Sequence, residues 1–594
     1  MCGIFGIVSN KEQLIGKKLV IGGKGLAYRG YDSVGCATVS DKKIDLRKDI
    51  GKIDEVSQKL KFSKMFGKRG IIQLRWATFG APSKINAQPH FGCQKSIVGA
   101  HNGNIVNNII LRERFKKERH VVRSTNDGET CVHAFDKYYL DGFSPLESIC
   151  RAYRDLEGDY AYLITTTLEN KIYAVKKGSG LVIGLGKGEN YVSSDLPSIL
   201  PFTRKIIQIK DGEAAILSPE KVEIFNLKTG KKIKRAVKKI KESMESVKKE
   251  GYPYFLLKEI HEQSKVAKDL LHLLKASSYV QPFIKSIKKA KKIFLVGCGT
   301  SFHAALLGSY YFDLLAKVTA IPVLAPQLIR QFGNSLDKNS VAVFISQSGE
   351  TKDIINAVRF AKQRKSKILG ILNVIGSTLI SESDIYLPLS CGYEISVPAT
   401  KTFLNQIILL LFIAAKMGRK NVDLNQLPGL IEKTIKKVKP CCQKVASLLE
   451  KSKNLYYEGY GISHPIALEG ALKLKEITYL HCEGIFSSEF KHGPLSAIEK
   501  GFPVLFVSAP NDIYHILSHI NEVSCRDGLT FSVSEPSKIL EKTVNVKIDI
   551  PKTNQFIFPI LAIIPLQLIA YYLSVKKGIN PDFPRNLSKT LTVD

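Results

Sequence analysis

At 594 residues the chain exceeds what one hydrophobic core supports, so roughly two to four domains are expected. An apolar fraction of 44% excludes wholesale disorder, and 11 cysteines at scattered spacings, with no Cys-x-x-Cys pair, exclude a disulfide framework and give no zinc signal; reduced thiols and a cytoplasmic setting are expected. The surplus of 87 Lys+Arg over 54 Asp+Glu, a net +33, is mostly lysine spread along the whole chain, with no arginine-rich arm; it reads as a solvated surface that attracts anionic substrates, not as a nucleic-acid partner site.

The N-terminus, MCGIFGIVSN, has no basic region ahead of its apolar stretch, so no secretory signal is expected. To about residue 225, short β-type runs (4–8, 97–100, 160–166, 206–208) are broken by Gly, Asn and Asp, with fewer helical patterns such as 129–140. Stacked sheets with flanking helices are expected over 2–225. The lysine-dense stretch 228–249 reads as a solvated linker or surface helix, placing a boundary over 226–251. Beyond it, strands alternate with long helices, the pattern of a parallel sheet. Two apolar runs invite a membrane reading. Residues 407–415 are too few, and 556–573 contain Pro559, Pro565 and Gln567, so a buried strand turning into a core helix is expected and no membrane.

The second part repeats itself. Gly297-Cys298-Gly299-Thr300-Ser301 matches Gly459-Tyr460-Gly461-Ile462-Ser463 at an offset of 162 residues, and in the same register Ala305 meets Ala467, Gly308 meets Gly470 and Ser346 meets Ser508. Two copies of one α/β domain are expected, over 252–435 and 436–580, with a tail over 581–594. Only the first copy keeps hydroxyls after its strand, in Ser346-Gln347-Ser348-Gly349-Glu350-Thr351. Hydroxyls and N–H groups at a helix start suit an anion, and also serve as simple caps. The loop lacks the Gly-Lys-Ser/Thr ending of a P-loop, and Gly297-Cys298-Gly299 lacks the third glycine of a dinucleotide fingerprint.

If Met1 is removed, Cys2 carries both a thiol and a free α-amine, whose reference pKa values are about 8.5 and 7.7–8.0. The amine then takes the thiol proton with no histidine needed. The other reading of Cys2 is a small buried hydrophobe. The set MCGIFGI, Tyr28-Arg29-Gly30-Tyr31-Asp32-Ser33, Arg75-Trp76-Ala77-Thr78 and His101-Asn102-Gly103 resembles the class II glutamine amidotransferase domain over about residues 2–220. That resemblance implies a four-layer αββα sandwich of the N-terminal-nucleophile (Ntn) type. It implies that Cys2 attacks the glutamine amide to form a thioester, with the Asn102 side chain and the Gly103 N–H as the oxyanion hole. Arg75 would hold the glutamine carboxylate and Asp127 its ammonium, with Trp76 and Thr78 in the loop that closes the site. Phe79 and Gln88 stand where the family often has histidine, which bears on the geometry of that lid.

The strand, hydroxyl loop and helix, doubled, resemble the sugar isomerase (SIS) domain over about residues 285–594, which implies two parallel-sheet αβα domains. By resemblance Ser346, Gln347, Ser348 and Thr351 hold a sugar phosphate, and Thr300 and Ser301 lie beside the sugar. The family pattern continues through Ala467 to Glu476, Glu489 to Pro494 and Pro584 to Lys589. It implies Glu476 as the base that moves a proton between C1 and C2, Lys473 as a proton relay and Lys589 as an imine-forming amine next to Ser588. His492, from a neighbouring subunit, would open the sugar ring. Glu394 and Val397 belong to a binding segment in which Pro398-Ala399 replace the usual Ala-Ser, one hydroxyl fewer.

A glutaminase half joined to a doubled SIS half resembles the isomerising glutamine:fructose-6-phosphate aminotransferases. The resemblance implies glutamine and fructose 6-phosphate as substrates, glucosamine 6-phosphate as product, no cofactor, no metal and a homodimer. Ammonia would need a closed path, since water would protonate it, and Trp76 is the implied gate. A class II amidotransferase acting on phosphoribosyl pyrophosphate or aspartate would lack the SIS repeat. A SIS-type sugar-binding protein would need neither Cys2 nor Lys589.

Overall fold

The computed structural model describes residues 2–40, 43–240, 249–374 and 377–590, with Tyr28 by its backbone alone. The chain forms two compact units, residues 1–245 with 590–594, and residues 246–589.

The first unit contains an eight-stranded and a seven-stranded antiparallel sheet. Strand period decides its layering, because alternate side chains point to opposite faces. In the strand Gly3–Gln13, Ile4 and Val8 meet Ala161 and Leu163 of the facing sheet, while Phe5 and Ile7 join Leu19 of the helix Ile15–Lys24. In Gly158–Thr166 the phase is the same: Ala161 and Leu163 face inward, and Tyr160, Tyr162 and Ile164 pack on Val132 and Phe135 of the helix Gly128–Leu140. The result is the expected αββα order. Burial on both faces explains why these strands read as unbroken apolar runs.

Of the linker or surface helix expected over 228–249, the described part, 228–240, contains no helix. Lys232–Ile233 and Lys238–Lys239 are short strands, the latter pairing with Lys205–Gln208 at the edge of the larger sheet. Lysines on a short edge strand keep it solvated and unavailable for further pairing. The remainder of that expected boundary, 241–248, lies outside the described residues, as do residues 591–594 of the expected tail.

The second unit holds two five-stranded parallel sheets. The first runs Ile321–Leu324, Lys292–Gly297, Ser340–Ser346, Lys367–Leu372, Ile385–Pro388. The second runs His481–Phe486, Asn454–Gly459, Pro503–Ser508, Leu529–Ser534, Val546–Asp549, so both follow the order second, first, third, fourth, fifth. Gly299 and Gly461, one repeat apart, adopt φ of +52° and +50°, so the turn after the first strand calls for glycine at the same place in both copies.

Two long helices, Lys401–Gly418 and Phe558–Lys576, are apolar and long enough to cross a membrane, yet both are buried in the core that the two copies share. The second is one continuous helix where a strand leading into a helix was expected. Pro559 sits in its first turn, where a missing N–H costs nothing, and Pro565 is accommodated within it.

Candidate active sites

In the first unit Cys2 precedes the strand Gly3–Gln13 and is 6% exposed. Its Sγ lies 3.6 Å from the carbonyl of Trp76. Burial pushes the thiol up, the positive charge of the chain start opposes this, and the charges of Arg75 and Asp127 also reach it, with opposite signs. The expected removal of Met1 concerns a residue outside those described.

Asn102 and Gly103 lie in the strand Ile97–Ile105, which packs against Gly3–Gln13 across the sandwich. Asn102 is fully buried, and neither atom of its amide has a hydrogen-bond partner. Such a group is costly unless a ligand completes it. Gly103 has φ +132°, and a Cβ there would lie 2.1 Å from the carbonyl oxygen of Asp159, so no other residue fits. Gln88 holds this strand by a reciprocal pair: the His101 N–H donates to its Oε1 at 2.7 Å, and its Nε2 donates to the His101 carbonyl at 3.2 Å. The amide places its donor and acceptor side by side toward one backbone residue, whereas the two nitrogens of a histidine ring point apart.

Arg75 is fully buried and donates to the carbonyls of Phe79, Gly80 and Ala81, folding the following loop back over itself. Asp32 accepts from the Ala77 N–H at 2.7 Å and so fixes the start of that loop. Trp76 is half-buried and Thr78 exposed. Asp127, 1% exposed, accepts from the Ile105 N–H at 3.1 Å, which ties it to the strand of Asn102.

In the second unit the first copy ends its strands at the sheet's topological switch point, where open α/β sheets bind ligands. Thr300 and Ser301 follow the first strand; Ser346 ends the third, and Gln347, Ser348 and Thr351 lie between it and the helix Lys352–Gln363. They line a cavity of about 160 Å³ together with Val397, Lys473, Glu476, Ser588 and Lys589. Within the loop Ser346 Oγ accepts from the Gly349 N–H at 3.0 Å and Ser348 Oγ from the Glu350 N–H at 3.2 Å, so these hydroxyls brace the loop itself and do not cap the helix that follows. Gln347 Oε1 is buried without a partner.

Across this cavity the second copy presents the helix His464–Thr478. Glu469, Lys473 and Glu476 share one face of it by helical spacing. Lys473 Nζ lies 2.6 Å from Glu476 Oε2, 3.1 Å from Thr300 Oγ1 and 3.4 Å from Glu469 Oε1. Burial works against its charge, but the carboxylates of Glu469 and Glu476 overcome that and raise its pKa. Opposite, Lys589 Nζ donates to Glu394 Oε2 at 2.6 Å. Glu394 is fully buried; that burial is outweighed by Lys589 and by donors from Thr400 and Thr402, which keep its carboxyl low. His492 is exposed in the short helix Ser487–His492 and does not line the cavity.

Several contributors carried no local sequence signal. Asp582 accepts from the N–H groups of Phe255 and Leu256, and its carbonyl from that of Val397, so it anchors the segment ahead of Lys589. The Arg585 N–H donates to Tyr479 Oη at 2.7 Å, and its guanidinium lies 4.1 Å from that ring's centroid. Gln406 donates to Ser301 Oγ at 3.0 Å, and His303 contacts Glu469 at 2.7 Å. Glu469 alone was readable, as a same-face neighbour of Lys473.

Models of known families match in both halves: a glutamine amidotransferase domain over residues 75–201 and SIS domains over 286–416 and 448–577. A glutamine--fructose-6-phosphate aminotransferase [isomerizing] of Sulfurisphaera tokodaii is 38% identical over 601 residues, and one of Aquifex aeolicus is 38% identical over 602, each covering 100% of both chains. The chain belongs to this family of isomerising aminotransferases. Its second unit is also similar to the solved C-terminal domain of glucosamine-fructose-6-phosphate aminotransferase from Francisella tularensis, at 30% identity and a TM-score of 0.51, over 56% of this chain and 99% of that one. The family's two-part build thus coincides with the two clusters of unsatisfied and charged side chains described above.

Proposed function

We propose that this isomerising aminotransferase moves the amide nitrogen of glutamine onto fructose 6-phosphate and releases glucosamine 6-phosphate and glutamate, with the residues above in defined roles. Cys2, freed of Met1, attacks the amide carbon. The oxyanion is met by Asn102 Nδ2 and the Gly103 N–H, ammonia leaves with the amine's proton, and water cleaves the thioester to glutamate. Arg75 and Asp127 take the glutamine carboxylate and ammonium, under the loop of Trp76 and Thr78. Ammonia stays out of bulk water until it reaches the sugar.

In the SIS pair Ser346, Gln347, Ser348 and Thr351 hold the phosphate, and Thr300, Ser301, Val397 and Ser588 the sugar. His492 of a second subunit opens the ring, so the working form is a cytoplasmic homodimer. Lys589 leaves Glu394, loses a proton and condenses with the C2 ketone, expelling water; ammonia then displaces it. Glu476 removes a C1 proton and a proton returns at C2, leaving an aldehyde at C1 and an amine at C2. Lys473, 2.6 Å from Glu476, relays protons beside it. The observation that carries this reading is the meeting of two lysine–carboxylate pairs, Lys473–Glu476 and Lys589–Glu394, around a hydroxyl-lined cavity at a sheet switch point.

The test is incubation of purified protein with fructose 6-phosphate and glutamine carrying heavy nitrogen in its side-chain amide. Labelled glucosamine 6-phosphate and equal glutamate are expected. Glutamate released without any aminosugar would refute the transfer.

A further inference from the structure

Away from both candidate sites, four ligand-type side chains converge in the first unit. The donor atoms of Cys93, His120, His133 and Asp136 all lie within 4.8 Å of one another. Cys93 sits in the turn between His90–Phe91 and Ile97–Ile105, and His120 follows the helix Asn108–Lys117. His133 and Asp136 occupy positions i and i+3 of Gly128–Leu140. Cys93 Sγ is 3.0 Å from His120 Nδ1 and 3.6 Å from His133 Nδ1, and Asp136 Oδ2 is 3.9 Å from each of those nitrogens. A tetrahedral zinc with bonds of about 2.0–2.3 Å has ligand-to-ligand edges of about 3.3–3.6 Å, so small shifts bring these atoms onto one ion.

Two features separate this cluster from an ordinary buried polar contact. His133 and Asp136 are 0% and 1% exposed, yet Asp136 Oδ1 has no hydrogen-bond partner. His133 Nε2 is turned toward Glu129 Oε1 at 3.6 Å, the outer carboxylate that commonly orients a metal-bound imidazole. The donor set also balances charge: a thiolate and a carboxylate neutralise a divalent ion, and two neutral imidazoles complete it.

We propose that Cys93, His120, His133 and Asp136 bind one divalent ion of the zinc class. Thiolate and imidazole select zinc over magnesium or calcium, and four protein ligands leave no open position, so the site is structural. Its lever on function is Glu129. The same carboxylate accepts from the N–H groups of Arg123 and Ser124 and from Ser124 Oγ, in the segment that leads directly into Asp127. An ion on His133 would thus fix the segment that places Asp127. No spacing rule signals the site, because its ligands are spread from residue 93 to residue 136.

Full-length protein exposed to zinc and then desalted should retain about one equivalent per chain by elemental mass spectrometry. Cobalt in its place should show a thiolate-to-cobalt charge-transfer band and the intense visible bands of tetrahedral cobalt. Cys93→Ser should lose the charge-transfer band, and Glu129→Gln should weaken zinc binding by about 10–100-fold with the ligands intact. Wild-type protein that retains no zinc above background overturns the proposal whatever the variants do. So does a charge-transfer band that survives Cys93→Ser.

Discussion

Lys589 and Glu394 form an ion pair of 2.6 Å, although 195 residues separate them and the lysine stands five residues from the chain end. Both are almost wholly buried, at 5% and 0% side-chain exposure. A tail lysine ordinarily frays into solvent; this one is held because Asp582 and Arg585 pin the preceding chain. In the proposed scheme the imine requires the neutral amine, so Glu394 would both place Lys589 and have to release it.

Lys589→Arg separates these duties. Arginine keeps a positive charge for Glu394 but cannot condense with a ketone. Glutamine hydrolysis should stay within about twofold of wild type, while glucosamine 6-phosphate formation falls to background. Product formation at the normal rate would remove the imine from the scheme. Measuring glutamate and aminosugar in the same reaction reads both outcomes.

Asn102→Ala addresses the other site. Removing one oxyanion donor typically lowers kcat by about 10²–10³-fold. Glutamine hydrolysis should fall by that factor with KM little changed, because the donor acts on charge that develops after binding. Thermal stability should not fall, since the Asn102 amide has no partner to lose. An unchanged kcat would place the oxyanion elsewhere.

The repeat, the strand–helix alternation and the hydroxyl loop were legible because they are local. Lys292–Gly297 and Asn454–Gly459 begin 162 residues apart, as do Lys367–Leu372 and Leu529–Ser534, so the offset read from a few small residues holds across the sheets. What escaped depends on long-range closure. Asp582 meets Leu256 across 326 residues, and Glu259 meets Ser396 across 137. Nothing near any of these residues announces the partner. The edge strand Lys238–Lys239 escaped for another reason: lysine density signals solvent, and a solvated helix and a solvated edge strand share that composition.

Glu476→Gln should lower the isomerisation step by about 10²–10⁴-fold, the usual worth of a positioned base, while glutamine hydrolysis persists. Lys473 would keep a hydrogen-bond partner in the glutamine oxygen, so the fold around Thr300 should survive. Solvent-proton exchange at C1 of bound fructose 6-phosphate, followed by NMR, isolates the step. Exchange at the wild-type rate would assign the base to another residue.

A last prediction concerns pH. Glu259, on the helix Phe255–His261, is fully buried and accepts from the N–H groups of Ile395 and Ser396 and from Ser396 Oγ, which fixes the segment between Glu394 and Val397. Burial and then the charge of Glu394 push its carboxyl up to about 7, against the pull of Lys401 and Lys589. In the unfolded chain it titrates near about 4.3. Between these values the folded state holds a proton that the unfolded state lacks. The stabilisation is therefore full at the acid end and is lost as pH rises toward 7. Fully expressed, the shift is worth about 4 kcal/mol. Glu259→Gln stays neutral throughout and keeps an oxygen for the two N–H groups, while Ser396 Oγ can turn to the Pro398 carbonyl it already reaches at 3.1 Å. The variant should match wild type near pH 4 and exceed it near pH 8, with the difference growing between. Thermal midpoints of the two proteins across that range, compared pairwise so that other titrations cancel, give the answer. A difference that does not change with pH would mean that Glu259 is ionised throughout the range.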